Sequence, residues 1–105
     1  MLKIYDVSLR MLSELRPFFE ALGGRDRRLE EQARAAGTSV PLNIAEGSAF
    51  RNKRRRAHYE IALGSAKELR SVVDAAMALG YVAHVSEIGR DDLEHVIAVL
   101  INLSQ

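Results

Sequence analysis

At 105 residues the chain has the length of one domain, and with 48% apolar and 28% charged residues it has the composition of a folded chain, not a disordered one. It contains no cysteine, which excludes a disulfide framework, a thiolate nucleophile and a Cys-ligated metal, and no apolar run nears the ~20 residues of a membrane span. The net charge of +1 conceals a gradient: residues 1–50 carry seven basic and seven acidic groups, residues 51–70 seven and two, and residues 71–105 one and five.

The N-terminal "MLKIYDVSLR" has charges within its first ten residues and lacks a signal-peptide core, so a soluble cytoplasmic protein is expected. Met1, Leu2, Ile4 and Tyr5 form an apolar segment placed to cap the fold or to reach an adjacent protomer. Leu9, Met11, Leu12, Leu15, Phe18, Phe19 and Leu22 then recur at spacings of three and four. They predict helix one from Val7 to Ala21, with Asp6 or Ser8 as its cap. Pro17 implies a fresh turn or a kink, and Gly23 with Gly24 closes the helix.

Helix two is expected from the cap Asp26 to about Glu46, with Gly47 as a left-handed stop. Pro41 removes one backbone hydrogen bond and crowds the carbonyl of Gly37. The glycine gives room to bend, and the hydroxyls of Thr38 and Ser39 can bond freed carbonyls. The expectation is therefore a kinked helix, the alternative two shorter helices broken at Gly37. Asn52 is the expected cap of helix three, which runs from Lys53 to about Leu79, close to 40 Å at ~1.5 Å per residue. Its apolar stripe is Ile61, Leu63, Leu69, Val72, Val73, Ala76 and Leu79, and Gly80 ends it. Ser86 caps helix four, which reaches about Leu103 with Leu93, Val96, Ile97, Leu100 and Ile101 as its core face. Val99 and Leu103 widen that face beyond one stripe, and such excess apolar surface on a small domain argues for self-association. No segment alternates with strand period. The expected fold is a single all-α domain over 1–105, an up-and-down antiparallel four-helix bundle with a kinked second helix.

Ser39, Asn43, Glu46 and Phe50 share one helix face in "SVPLNIAEGSAF". "ALGSAKEL" offers a matching row in Ser65 and Glu68, and Gly64, Ser65 and Ala66 are small enough for close helix approach. A buried carboxylate must be hydrogen-bonded or paired. A polar network of Ser39, Asn43, Glu46, Ser65 and Glu68 between helices two and three is expected.

"TSVPLNIAEGSAFRNKRRRAHYEIALGSAKELRSVVDAAMALGYV" resembles the bacterial four-helix-bundle proteins encoded in intervening sequences of large-subunit ribosomal RNA genes. A distant branch of that family is the accessory protein of diversity-generating retroelements. The resemblance is densest over residues 33–82, in "SVPLNIAEG" and G-S-x-x-E-L. Members of the family resemble basic, nucleic-acid-associated bundles that assemble as homopentameric rings. The resemblance implies the four-helix fold, a pentamer, and RNA or DNA as partner.

The cluster "RNKRRR" is the sharpest surface signal: Arg51, Lys53, Arg54, Arg55 and Arg56 crowd the start of helix three. The helix dipole and like-charge neighbours both disfavour them there, by a few tenths of a kcal/mol each. A phosphate partner would compensate; the plain alternative is a solvated basic end, and an acidic protein partner is a third reading. Arg25, Arg27 and Arg28 open helix two at the opposite end, so the two clusters do not merge within one protomer. Tyr59 beside the cluster could stack a base or pack against a neighbouring helix. The acidic "RDDLE" of helix four could instead meet the basic cluster of another protomer.

An enzyme is not expected. Di-iron bundles use Glu-x-x-His pairs, and the chain has none; His58, His84 and His95 lack ligand spacing. A nuclease on Glu46 and Glu68 with Mg²⁺ is the remaining catalytic alternative, and "GGRDRR" lacks phosphate-loop spacing. No cofactor is expected. The expectation is an oligomeric binding or adaptor module for RNA or another nucleic acid; the alternative is a ring that displays a protein-binding surface.

Overall fold

A computed structural model describes residues 2–105, and Met1 lies outside the described residues. Four helices follow one another: α1 Lys3–Gly23, α2 Arg27–Ser48, α3 Asn52–Ala78 and α4 Glu87–Leu103. Each packs on its neighbour in sequence and α4 closes back on α1, with α2 and α3 in the most extensive contact. The cross-helix pairs run in opposite senses along the chain: Ser39 meets Ser65 and Asn43 meets His58, and Arg10 meets Asp92 and Glu14 meets Ser86. The bundle is therefore antiparallel throughout, and its long dimension of 42 Å is the length of α3. Among the described residues no helix is long and apolar enough to cross a membrane.

Helix ends follow local chemistry where a side chain supplies it. Asp26 accepts from the Leu29 amide at 3.0 Å, and the Ser86 hydroxyl accepts from that of Gly89 at 3.1 Å. α3 ends in a left-handed Gly80 (φ 74°), with the Gly80 amide donating to Met77 O and the Tyr81 amide to Ala76 O.

Several expected boundaries differ. α1 begins at Lys3, four residues early, with no side-chain cap at Leu2. Ser8 is no cap: it is buried, and its hydroxyl donates to Tyr5 O at 2.6 Å. Ile4 belongs to the helix and to the core, and Tyr5 packs partly buried against it, whereas Leu2 is exposed. Both prolines lie within uninterrupted helices, so there is no break at Gly37. Thr38 bonds Arg34 O instead of a carbonyl freed by Pro41, and Gly37 serves packing: a Cβ there would sit 3.0 Å from Leu12 Cδ2 and 3.2 Å from Phe19 Cζ.

Gly47 is no left-handed stop either. It is buried within α2, and the positive φ near this turn falls on Asn52 (57°), the first residue of α3, while Arg51 takes the N-cap position. Asn tolerates the left-handed region better than other non-glycine residues.

The core shows why α2 and α3 approach closely. They contribute Ala33, Ala36, Ala62, Ala66 and Ala76, and α1 contributes the larger Met11, Leu15, Phe18, Phe19 and Leu22. On α4, Leu93, Val96, Ile97 and Leu100 are buried, but Ile101 is 40% exposed. Ile61 on α3 and Leu79 just past its end point outward, and Tyr59, Ala62 and Ala66 take core positions on α3.

Candidate nucleic-acid interface

The turn from α2 to α3 concentrates the cations at one end of the bundle. Arg51, Lys53, Arg54, Arg55 and Arg56 are all exposed, and among the described residues no carboxylate is in ion-pair contact with any of them. They are not equivalent. Arg55 turns back onto the C-terminal end of α2, where Nε donates to Gly47 O at 3.2 Å and an Nη to Ser48 O at 3.3 Å. It gives Ser48 O a donor and adds one to Gly47 O, which already accepts from the Phe50 amide, at a helix end where the dipole favours a cation. Arg54 lies over the ring of Phe50, its guanidinium carbon 3.9 Å from the centroid. Lys53 and Arg56 flank a shallow depression with Ala57 and Glu60, one helical turn apart. Arg51, Lys53 and Arg56 have no such internal partner among the described residues. Arg27, at the far end, is paired with Glu31 at 3.4 Å.

Beside the cations runs a polar row along the outer seam of α2 and α3. Ser65 Oγ donates to Ser39 Oγ at 2.7 Å. The Asn43 amide nitrogen donates to Ser39 O at 2.9 Å and to Ser39 Oγ at 3.1 Å. Because a backbone carbonyl can only accept, that contact orients the amide and leaves Oδ1 facing His58 Nδ1 at 3.1 Å. Nδ1 is then the protonated nitrogen and the donor. The sequence singled out Ser39, Asn43 and Ser65; His58, the residue that ties the row to the basic end, carried no spacing signal for it. The row is half-buried, since Val40, Ile44, Ala62 and Ala66 fill the inner side of the seam. Glu46 is exposed, with its carboxylate 3.4 Å from His58 Nδ1. Glu68 is exposed and takes no part, lying ten residues, about 15 Å, along α3 from His58. The two carboxylates therefore sit at different levels. Gly64 is also outward, with nothing within 4 Å of an added Cβ, so of the three small residues Gly64, Ser65 and Ala66 only the last two face the seam.

Tyr59 is buried (3% exposed) with its ring against Gly47, so it offers no face to a base. Phe50 is the accessible aromatic here: half-buried, stacked on the His58 ring with centroids 5.5 Å apart and planes at 17°.

The acidic run of α4 is largely engaged inside the chain. Asp92 is buried and held in a two-pronged contact by Arg10, with Nε to Oδ2 at 2.9 Å and Nη to Oδ1 at 2.7 Å. Glu94 pairs with Arg70 at 3.0 Å and Arg90 with Asp74 at 3.5 Å. The hydrogen bond to Asp92, then its charge, raises the Arg10 pKa further above its ordinary value. A raised cation pKa stabilises the fold at every pH below the ordinary arginine value, so Arg10 adds no pH dependence near neutrality. Of the acids in "RDDLE", Asp92 and Glu94 are paired within the chain, and Asp91 has no ion pair among the described residues.

A cavity of about 420 Å³ opens at the other end between α1 and the α3–α4 connection, beside Phe18, His84 and Ile88. Its Glu14 accepts from Ser86 Oγ at 2.9 Å. Among the described residues no group of three His, Asp or Glu is placed to hold a metal ion.

The model of the family described as 23S rRNA-intervening sequence protein matches residues 2–102. A crystal structure of a protein of unknown function from the S23 ribosomal protein family of Bacteroides thetaiotaomicron has the same fold: TM-score 0.81 at 19% identity, over 97% of this chain and 98% of that one. No curated protein matches the sequence.

Proposed function

The chain belongs to the 23S rRNA-intervening sequence protein family, and on that premise we propose that it is a non-enzymatic, oligomeric binding module that holds RNA through the basic end of the bundle. The observation that carries this reading is the set of exposed cations at the start of α3 with no carboxylate partner among the described residues. Helix dipole and mutual repulsion disfavour them there, and a phosphate backbone relieves both. The family's name, tied to 23S rRNA, makes RNA in the cytoplasm the first partner to test. The contacts divide the labour: Arg51, Lys53 and Arg56 are available for phosphates, Arg54 shares its place with Phe50, and Arg55 is a helix cap. The side chains of the polar row engage one another, which favours a structural role over acid–base chemistry. A homopentamer is part of the proposal, supported by the family resemblance and by exposed aliphatic side chains; a ring would multiply the basic end and add avidity.

A second reading is a ring-forming protein-interaction module with no nucleic acid. Exposed Leu42 (65%) and Ile61 (51%), at the same level of the α2–α3 pair, favour it. One experiment separates the two. Labelled structured RNA and duplex DNA are titrated against wild type and a variant with Arg51, Lys53 and Arg56 changed to Glu. Binding at micromolar affinity or tighter, lost in the variant while its melting temperature holds, is the expected result. No binding to wild type at low salt would leave the protein-interaction reading.

A further inference from the structure

We infer that the bound nucleic acid is an unpaired strand, and that one of its bases stacks on Phe50. This rests on the reading that the basic end binds RNA. His58, Phe50 and Arg54 form a stack of planar groups graded in exposure: His58 is 23% exposed, Phe50 half-buried and Arg54 exposed. His58 is held from behind by Asn43, which is in turn held by Ser39, so the inner layer is fixed in orientation. Phe50 sits in the connection between two helices, only half-buried, with Arg54 over its ring and with Arg51 and Lys53 beside it in sequence. That combination takes a base and its phosphates together, and a duplex, whose bases are stacked on one another, cannot present a base face.

The cover now on the ring is exchangeable. An exposed cation–π contact is weaker than a base–aromatic stack. The Arg54 guanidinium leaves the Phe50 face to the base and moves to the adjoining phosphate, where a charge-assisted bond replaces the one it gave up. Lys53 and Arg56, one turn apart, hold the backbone beside it.

The chain has no tryptophan, so Phe50→Trp gives a single indole at the site. Three RNAs are titrated into wild type, Phe50→Leu and Phe50→Trp: an adenine-rich single strand of about 12 nucleotides, a strand of equal length without bases, and a duplex. The single strand should bind about tenfold tighter than the base-free strand. Phe50→Leu should remove that advantage and leave the duplex unchanged, and indole emission should be quenched by the adenine strand only. Circular dichroism melts confirm that both variants fold, and retained affinity in Phe50→Trp guards against a merely structural loss in Phe50→Leu. Equal binding of all three RNAs, insensitive to Phe50→Leu and without quenching, would overturn the base contact while leaving backbone binding standing. No binding of any of them would overturn both.

Discussion

Gly47 and Gly64 both lie within helices, yet alanine should act on them with opposite sign. At Gly47 a Cβ would stand 2.7 Å from Tyr59 Cε1 and 2.9 Å from Cδ1, and that ring is buried at 3% exposure and cannot swing away. Helix propensity favours alanine by about 1 kcal/mol, but overpacking costs about 1–3 kcal/mol, so Gly47→Ala should lower stability by about 1 kcal/mol in urea unfolding. At Gly64 nothing lies within 4 Å, and Gly64→Ala should raise stability by about 0.5–1 kcal/mol. A stabilised Gly47 variant would show that Tyr59 is not fixed. A glycine in a sequence is ambiguous between freedom and closeness, so Gly47 reads as a stop although it is a contact. The same ambiguity hides Asp92, which stands in an acidic run like any surface acid until Arg10 from the far end of the chain is placed beside it.

At the level of the helices, the seam between α2 and α3 sets Asn43 and Glu46 apart. Asn43 is half-buried and bonds both ways, to Ser39 and to His58, whereas Glu46 is exposed. Asn43→Ala removes the half-buried bonds to Ser39 and His58 and should cost about 1 kcal/mol, a drop of about 4–8 °C in melting temperature for a domain of this size. Glu46→Ala should shift it by less than about 1 °C, since an exposed pair contributes little. Equal effects would mean that the row is not built as described. Helix number, the caps Asp26 and Ser86, and the Gly80 terminus are readable from periodicity and punctuation. The start of α1 is not, because Leu2 offers no capping side chain. The membership of His58 is not readable either, because a histidine after four cations carries no pattern that points to an asparagine fifteen residues earlier. Ile61 and Ile101 match a stripe by spacing, but small residues already fill the inner positions of α3, and Leu100 takes the buried place on α4.

For the molecule as a whole, self-association and nucleic-acid binding should respond differently to salt. The charges of α4 are mostly engaged within the chain, and Leu42, Ile61, Leu79 and Ile88 are each more than half exposed. For the proposed pentamer, light scattering should give five 11.7 kDa chains, a mass that survives high salt. A monomer, or an oligomer that dissociates in salt, would contradict an apolar assembly face. RNA binding depends on released counterions and should weaken steeply with salt. The most direct measurement is the slope of log affinity against log salt for single-stranded RNA, with wild type and with Lys53→Ala, Arg56→Ala and the pair. The account predicts a slope that flattens by about 0.7 for each cation removed. An unchanged slope, or wild-type affinity in the double variant, would contradict the assignment of the basic end of α3 as the surface that holds RNA.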